Sequence, residues 1–286
     1  MITNYCHDHD PVTQVAAGNT WYTDDQFAKQ LGHPGTRATI ENRWCIFGRA
    51  LRDHFSDKKP DGEWRLLDVG CGDGINLVGL NRIIESQGWQ ASLCATDYNP
   101  LRVERASRFP FLREVRQATI QSIPYPDGWF DALLCNHVLE HIRDDETVLR
   151  ELKRVLRPGG LMILGVPNEG CALARLRNHV FQRSILRTTD HVNFYTGDQL
   201  GEILRKSGFE VVRIEREGFF LPHLWLHYLI TLFSVGRWLL RRLGERFPLQ
   251  SAGLIAITYK AQSTLTEGDV ESSCTLLSER SEAVSL

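Results

Sequence analysis

The sequence predicts an α/β fold built on a parallel sheet, and three stretches predict it. Leu66-Leu67-Asp68-Val69-Gly70-Cys71-Gly72-Asp73-Gly74 begins as a short apolar run and ends in glycines at alternate positions. That is the pattern of a buried strand running into a tight turn. Ile75, Leu77, Val78, Leu80, Ile83 and Ile84 then repeat at helical spacing. Ala91 to Thr96 reads as a second buried strand, closed by Asp97-Tyr98-Asn99-Pro100. Strand, helix and strand in that order form the crossover that a parallel pair requires.

The glycines carry the first functional statement. Without a Cβ the backbone can approach a ligand closely. The helix that follows presents free N–H groups and a partial positive charge at its start. Two kinds of cofactor suit such a turn. A dinucleotide site uses Gly-x-Gly-x-x-Gly, whose third glycine falls on Ile75; the chain has Gly-x-Gly-x-Gly instead. Asp68 and Asp73 would repel a pyrophosphate and attract a ligand carrying an ammonium and a sulfonium. Asp97 stands about 20 residues after the glycines, where a strand-end carboxylate accepts both hydroxyls of a ribose. Its other reading is a cap for the helix from Pro100.

In these residues the chain resembles the class I S-adenosylmethionine-dependent methyltransferases, whose first motif is similar to Leu67-Asp68-Val69-Gly70-Cys71-Gly72-Asp73-Gly74. The broad subgroup of small-molecule, quinol and sugar O-methyltransferases is the nearest likeness. The resemblance implies a Rossmann-like, seven-stranded, mostly parallel sheet with helices on both faces and an antiparallel last strand. It implies S-adenosyl-L-methionine as cofactor, held by Asp68, Gly70, Cys71, Gly72, Gly74, Asp97, Tyr98, Thr119, Ile120 and Asn136. In the family's third-strand loop an aspartate reads the adenine; here Thr119 occupies that position, ahead of Ile120-Gln121-Ser122-Ile123-Pro124-Tyr125-Pro126-Asp127. Backbone groups, Gln117 or Gln121 are left for that contact.

Composition sets the outer limits. With 286 residues, 42% apolar and 24% charged, the chain has the make-up of a soluble globular protein. A net charge of −2 gives no reason to expect nucleic acid. Seven scattered cysteines without Cys-x-x-Cys spacing read as free thiols in a reducing compartment, and no metal site is expected. The first ten residues lack a basic segment followed by an apolar one, so a cytoplasmic protein without a signal peptide is expected. His7-Asp8-His9-Asp10 reads as a solvated terminus before a metal cluster.

The organisation expected is an N-terminal arm and helical cap over 1–60, a methyltransferase domain over 61–261, and a disordered Ser/Glu/Thr-rich tail over 262–286. Phe27, Leu31, Ile40, Trp44, Phe47 and Leu51 give the cap its helical spacing, and it is placed to cover the cofactor pocket. The third strand and its loop are expected at 115–126, and later strands at 129–135, 161–166, 210–214 and 253–260. Helices are expected at 147–156, stopped by Arg157-Pro158-Gly159-Gly160, and at 199–206. Between the last two strands, at about 218–250, lies an apolar and basic insert, Phe219 to Phe233 followed by Arg237, Arg241, Arg242 and Arg246. It fits an interfacial membrane helix, a lid on a lipid-like substrate, an oligomer surface or a core helix. Arg175, Arg177, Arg183 and Arg187 form a second basic segment that suits a phosphate.

Methyl transfer from a sulfonium is an in-line displacement, so catalysis rests mainly on positioning. A hydroxyl acceptor also needs its proton removed, which suits a histidine. The candidates are His141, with Glu140 beside it, and His137 in the loop after the fourth strand, and His191, with Asp190 beside it, before the next helix. The expected activity is methylation of a hydroxyl on a small-molecule, saccharide or lipid-linked acceptor, with a quinone precursor as the nearest variant. The expected partners are that acceptor and a membrane surface at 219–246, with an oligomer also open. The rivals are an NAD(P)-dependent oxidoreductase and a non-catalytic cofactor-binding protein.

Overall fold

A computed structural model describes residues 25–56, 62–181 and 191–261. The expectations for His7 to Asp10, Arg183, Arg187, Asp190 and the tail lie outside the described residues. Helices α1 (Gln26–Gly32) and α2 (Pro34–Phe55) come first, followed by β1 (Trp64–Val69), α3 (Ile75–Gln87) and β2 (Ala91–Asp97). Next are α4 (Pro100–Ala106), β3 (Leu112–Gln117), β4 (Phe130–Asn136), α5 (Asp145–Val155) and β5 (Leu156–Pro167). The chain continues through α6 (Ala172–Leu176), α7 (Gly197–Lys206) and β6 (Phe209–Glu217). It ends with α8 (Leu224–Leu232), α9 (Ser234–Arg246) and β7 (Gly253–Lys260).

One sheet holds all seven strands in the order β3-β2-β1-β4-β5-β7-β6. The ladders from β3 to β5 are parallel, and β7 runs antiparallel to both β5 and β6. This is the Rossmann-like arrangement with an antiparallel last strand that the resemblance implied. The strand order reverses between β1 and β4, which makes their carboxyl ends the place for a ligand.

Alternate side chains on each strand enter opposite cores. Leu66, Ala132, Leu134, Ile163 and Ile255 pack under α2 and α3. Leu67, Leu133, Met162, Leu164 and Leu254 pack under α5 and α7. Burial on both faces explains why the strands read as unbroken apolar runs.

Three strands differ from the sequence reading, and the first of them, β3, already starts at Leu112. β5 starts at Leu156, so Arg157-Pro158-Gly159-Gly160 joins the sheet as extended chain rather than merely ending α5. The cause is a register shift opposite Phe130, with Gly159 at φ 68°. β6 also runs on to Glu217, which pairs with Gly253.

Helix α2 starts with Pro34 in its first turn, and the His33 ring accepts from the Thr36 N–H. Phe47, Ala50, Leu51 and Phe55 are buried against the sheet, and Phe55 stacks on Trp64 at 4.1 Å. A Cβ at Gly79 would lie 2.4 Å from the Trp44 ring, so that glycine lets α2 and α3 approach closely. Arg43 then ties α2 to the end of β6 through Glu217 at 2.9 Å.

Because Phe47 is fully buried, Phe47→Ala should cost about 3–5 kcal/mol of stability in urea unfolding. A loss below about 1 kcal/mol would show that α2 is peripheral to the fold.

Candidate functional site

The glycine turn is fixed by the end of β2. The Thr96 carbonyl accepts the N–H groups of Gly70 and Cys71 at 2.8 and 3.0 Å. Asp97 Oδ2 accepts the Gly72 N–H at 2.8 Å, and Oδ1 accepts the Asn99 N–H at 2.9 Å. Gly70, Gly72 and Gly74 have φ of 70°, 57° and 90°, the left-handed region that disfavours a side chain. A Cβ at Gly70 would lie 2.4 Å from Val138, and one at Gly74 2.4 Å from Phe109. Phe109 in turn faces Phe27 of α1 at 6.1 Å, which brings α1 beside the turn.

Asp97 is therefore not the cap of α4. Asn99 fills that role, its side chain accepting the Leu101 N–H. Asp68 is buried at the end of β1, and among the described residues its Oδ2 meets no hydrogen-bonding partner. Burial, then the charge of Asp97, pushes its carboxyl up to about 8. Burial raises Asp97 as well, against the two backbone N–H groups it accepts. Asp73 points elsewhere: it is buried and pairs with Arg105 at 3.3 Å. Cys71 is buried with its thiol pushed up by desolvation. An orphaned buried acceptor beside a turn with no room for side chains fits a cationic nucleoside cofactor.

The adenine loop is less committed. Thr119 is exposed and Ile120 buried. The Gln117 amide donates to the Tyr98 carbonyl at 3.1 Å, which fixes the loop. Asn136, at the end of β4, is buried with Oδ1 unpartnered among the described residues.

The two histidine loops are joined by hydrogen bonds to the carbonyls of Glu140 and Ile142. Glu140 O accepts the N–H groups of Val192 and Asn193 at 2.9 and 3.1 Å, and Asn193 Nδ2 donates to Ile142 O at 2.7 Å. The His141 and His191 rings thus meet edge to face at 4.9 Å. Glu140 itself is fully buried, with Oε1 3.2 Å from His137 Nδ1. Burial pushes its carboxyl up, but the His137 hydrogen bond and the charges of His137 and His141 outweigh it and leave it low. His137 sits at φ 57°, the only described non-glycine residue in the left-handed region.

Sequence reasoning missed Glu169. It is buried two residues beyond β5, and its Oε2 lies 3.0 Å from His191 Nδ1. Burial opposes its charge, but His191 and Arg177 hold it low. Its position past a parallel strand's carboxyl end was the available signal. Arg177 is buried against Glu169 and under Phe220, at 4.8 Å, and so does not face a phosphate. Glu140, His141 and His191 also offer three ligand atoms within 4.8 Å of one another, a set able to take a divalent ion. The expectation of no metal site, which rests on the scattered cysteines, does not extend to this trio.

Asp68 sets a pH test. A carboxyl raised from 3.8 to about 8 keeps its proton in the folded state after the unfolded chain has lost it. Its contribution to stability is therefore full below about pH 4 and falls as pH rises toward 8. Asp68→Asn should gain urea stability relative to the parent as pH is raised from 5 to 8. A difference that stays constant with pH would refute the raised pKa.

A family described as a methyltransferase domain matches residues 38–214, more than half of the chain. The ubiquinone biosynthesis O-methyltransferase of Ruegeria pomeroyi is 33% identical over 186 residues, covering 63% of this chain and 73% of that protein. A Mycobacterium tuberculosis protein named as a probable S-adenosylmethionine-dependent methyltransferase is 35% identical over 130 residues. That match covers 45% of this chain and 44% of the relative, so the chain spans less than half of it. A SAM-dependent methyltransferase structure from Archaeoglobus fulgidus aligns with a TM-score of 0.53 at 18% identity, covering 83% of this chain and all of that one, a likeness of fold. By its matched domain, its relatives and its glycine turn, this chain belongs to the class I S-adenosylmethionine-dependent methyltransferase family, and its cofactor is S-adenosyl-L-methionine.

Proposed function

We propose that the chain methylates a hydroxyl group of a small-molecule, saccharide or lipid-linked acceptor, with His191 as the base. One observation carries this reading: the His191 imidazole is held at Nδ1 by Glu169, 3.0 Å away. A carboxylate at Nδ1 fixes the tautomer that leaves Nε2 able to take a proton. The bound cofactor supplies an electrophilic methyl group on its sulfonium. The chain then needs to hold the acceptor oxygen in line with it and remove the hydroxyl proton.

His141 packs against His191, and buried Glu140 holds His137 at Nδ1. The cofactor would be held by the turn Gly70-Cys71-Gly72-Gly74 on its methionyl side, with Asp68 taking the cationic end. Asp97 and Tyr98 would hold the ribose, and Thr119, Ile120 and Asn136 the adenine end. Asp97 already accepts two N–H groups, yet a carboxylate has lone pairs left for ribose hydroxyls. A quinone precursor is the nearest acceptor variant, favoured by the likeness to the Ruegeria pomeroyi enzyme.

Asp97→Ala should weaken S-adenosylhomocysteine binding in calorimetry by about 1–3 kcal/mol. An unchanged dissociation constant would end the ribose role. Methyl transfer is best followed as S-adenosylhomocysteine release with dihydroxylated phenols, prenylated quinol precursors and lipid-linked sugars. His191→Ala should lower turnover about 10²–10⁴-fold with cofactor affinity kept. Full activity in that variant, with loss in His141→Ala, would move the base to His141.

A further inference from the structure

Helices α8 and α9 leave most of their apolar surface uncovered. Among the described residues, eleven of the seventeen exposed large apolar side chains fall between 225 and 249. Trp225 is 66% exposed, Phe233 63% and Val235 72%. In α9 the only buried residue is Leu240, so the pair is not a core element. A soluble monomer seldom leaves so dense a patch open.

The charge of the hairpin is opposite to that of the chain. Over 224–249, four arginines against one glutamate give +3, while the whole chain carries −2. Val235, Leu239, Arg242 and Arg246 recur at spacings of four, three and four, so one face of α9 passes from apolar to basic. Arg242 lies 5.8 Å from the Trp238 ring. Arg237 does other work: its Nη1 donates to the Thr231 and Leu232 carbonyls at 2.8 and 3.0 Å and closes the end of α8. A Cβ on Gly236 would lie 2.0 Å from the Ile230 carbonyl, so the helices join by a tight, fixed bend.

The hairpin also stands at the catalytic edge. It leaves β6 at Glu217 and re-enters β7 at Gly253, which pairs with Pro167 at the carboxyl end of β5. Asn168 Nδ2 donates to the Leu249 and Ser251 carbonyls, which clasps the loop carrying Glu169 to the hairpin's return. On its other side Tyr228 meets His33 edge to face at 4.7 Å.

We propose that the α8–α9 hairpin docks on a bilayer surface containing anionic phospholipid. Trp225, Phe233 and Val235 enter the interface, and Arg242 and Arg246 meet the headgroup phosphates. Aromatic and apolar side chains followed by arginines are the composition of a segment lying in that interface. With 9 and 13 residues, neither helix can cross a hydrocarbon core of about 30 Å, and among the described residues no helix is long and apolar enough to do so. The hairpin therefore lies on the membrane. Docking would present the acceptor site to a lipid-linked hydroxyl, and to that extent it rests on the proposed function.

The test is sedimentation of the full chain with vesicles of phosphatidylcholine alone and of phosphatidylcholine mixed with phosphatidylglycerol, without any acceptor. The protein should bind the mixed vesicles, bind phosphatidylcholine far less, and release as salt is raised. Arg242→Ala with Arg246→Ala should weaken binding to the mixed vesicles about thirtyfold, and Trp225→Glu with Phe233→Glu at least about tenfold. Retained S-adenosylhomocysteine binding shows that each variant is folded. Failure to sediment with either vesicle overturns the proposal. So does a stable dimer in analytical ultracentrifugation that Trp225→Glu with Phe233→Glu dissociates. Vesicle binding without methylation of any lipid-linked acceptor would leave docking intact and count against the acceptor reading alone.

Discussion

Asp97 accepts the Gly72 N–H at 2.8 Å, while the Thr96 carbonyl takes those of Gly70 and Cys71. Three donors of a turn with three left-handed glycines are thereby committed to the end of one strand. A loop with so much conformational freedom would otherwise lose far more entropy on closing around a ligand. Tied down, it leaves Asp68 buried behind it with an oxygen unmet by the described residues. The same approach seats Val138 on Gly70 and so sets where the β4 loop, with Glu140 and His141, must run. Cofactor turn and histidine loop are positioned by one contact.

Much of this was legible because it is local. The doubled apolar pairs Leu66-Leu67 and Leu133-Leu134 announce strands buried on both faces, and Gly70, Gly72 and Gly74 announce positive φ. The antiparallel β7 came from resemblance, since nothing in residues 253–260 states its direction, and the strand order is visible only in the folded sheet. The boundary of β5 was misjudged because Pro158-Gly159-Gly160 looks like a stop, whereas a register shift opposite Phe130 carries the strand back to Leu156.

The site was harder to read because its partners are distant in sequence. His141 and His191 could each be singled out, but the hydrogen bonds that bring them together, from Val192 and Asn193 to the carbonyls of Glu140 and Ile142, appear only in the fold. Glu169 is 22 residues from His191, and no spacing rule joins them. Arg177 illustrates the opposite error. A run of arginines suggests an anion, yet this one is buried against Glu169 and holds the carboxylate that holds the histidine. A charged residue between apolar ones at a helix end reads the same whether it faces solvent or closes a network.

The hairpin brings the two lines together. Because β7 is antiparallel, its first residue stands at the carboxyl end of β5, and any insertion before it must emerge there. An insertion at the opposite end of the same ladder would lie remote from the chemistry. Here Phe220 covers Arg177, Asn168 grips the return segment, and Thr231 fills the space where a Cβ on Gly35 would go. The segment that carries most of the exposed large apolar residues described is thus anchored, through Phe220 and Leu249, beside the loop that orients His191, and through Thr231 at the start of α2. Under the proposed function, those buried polar groups beside an apolar surface suit an acceptor that carries a hydroxyl on an apolar body.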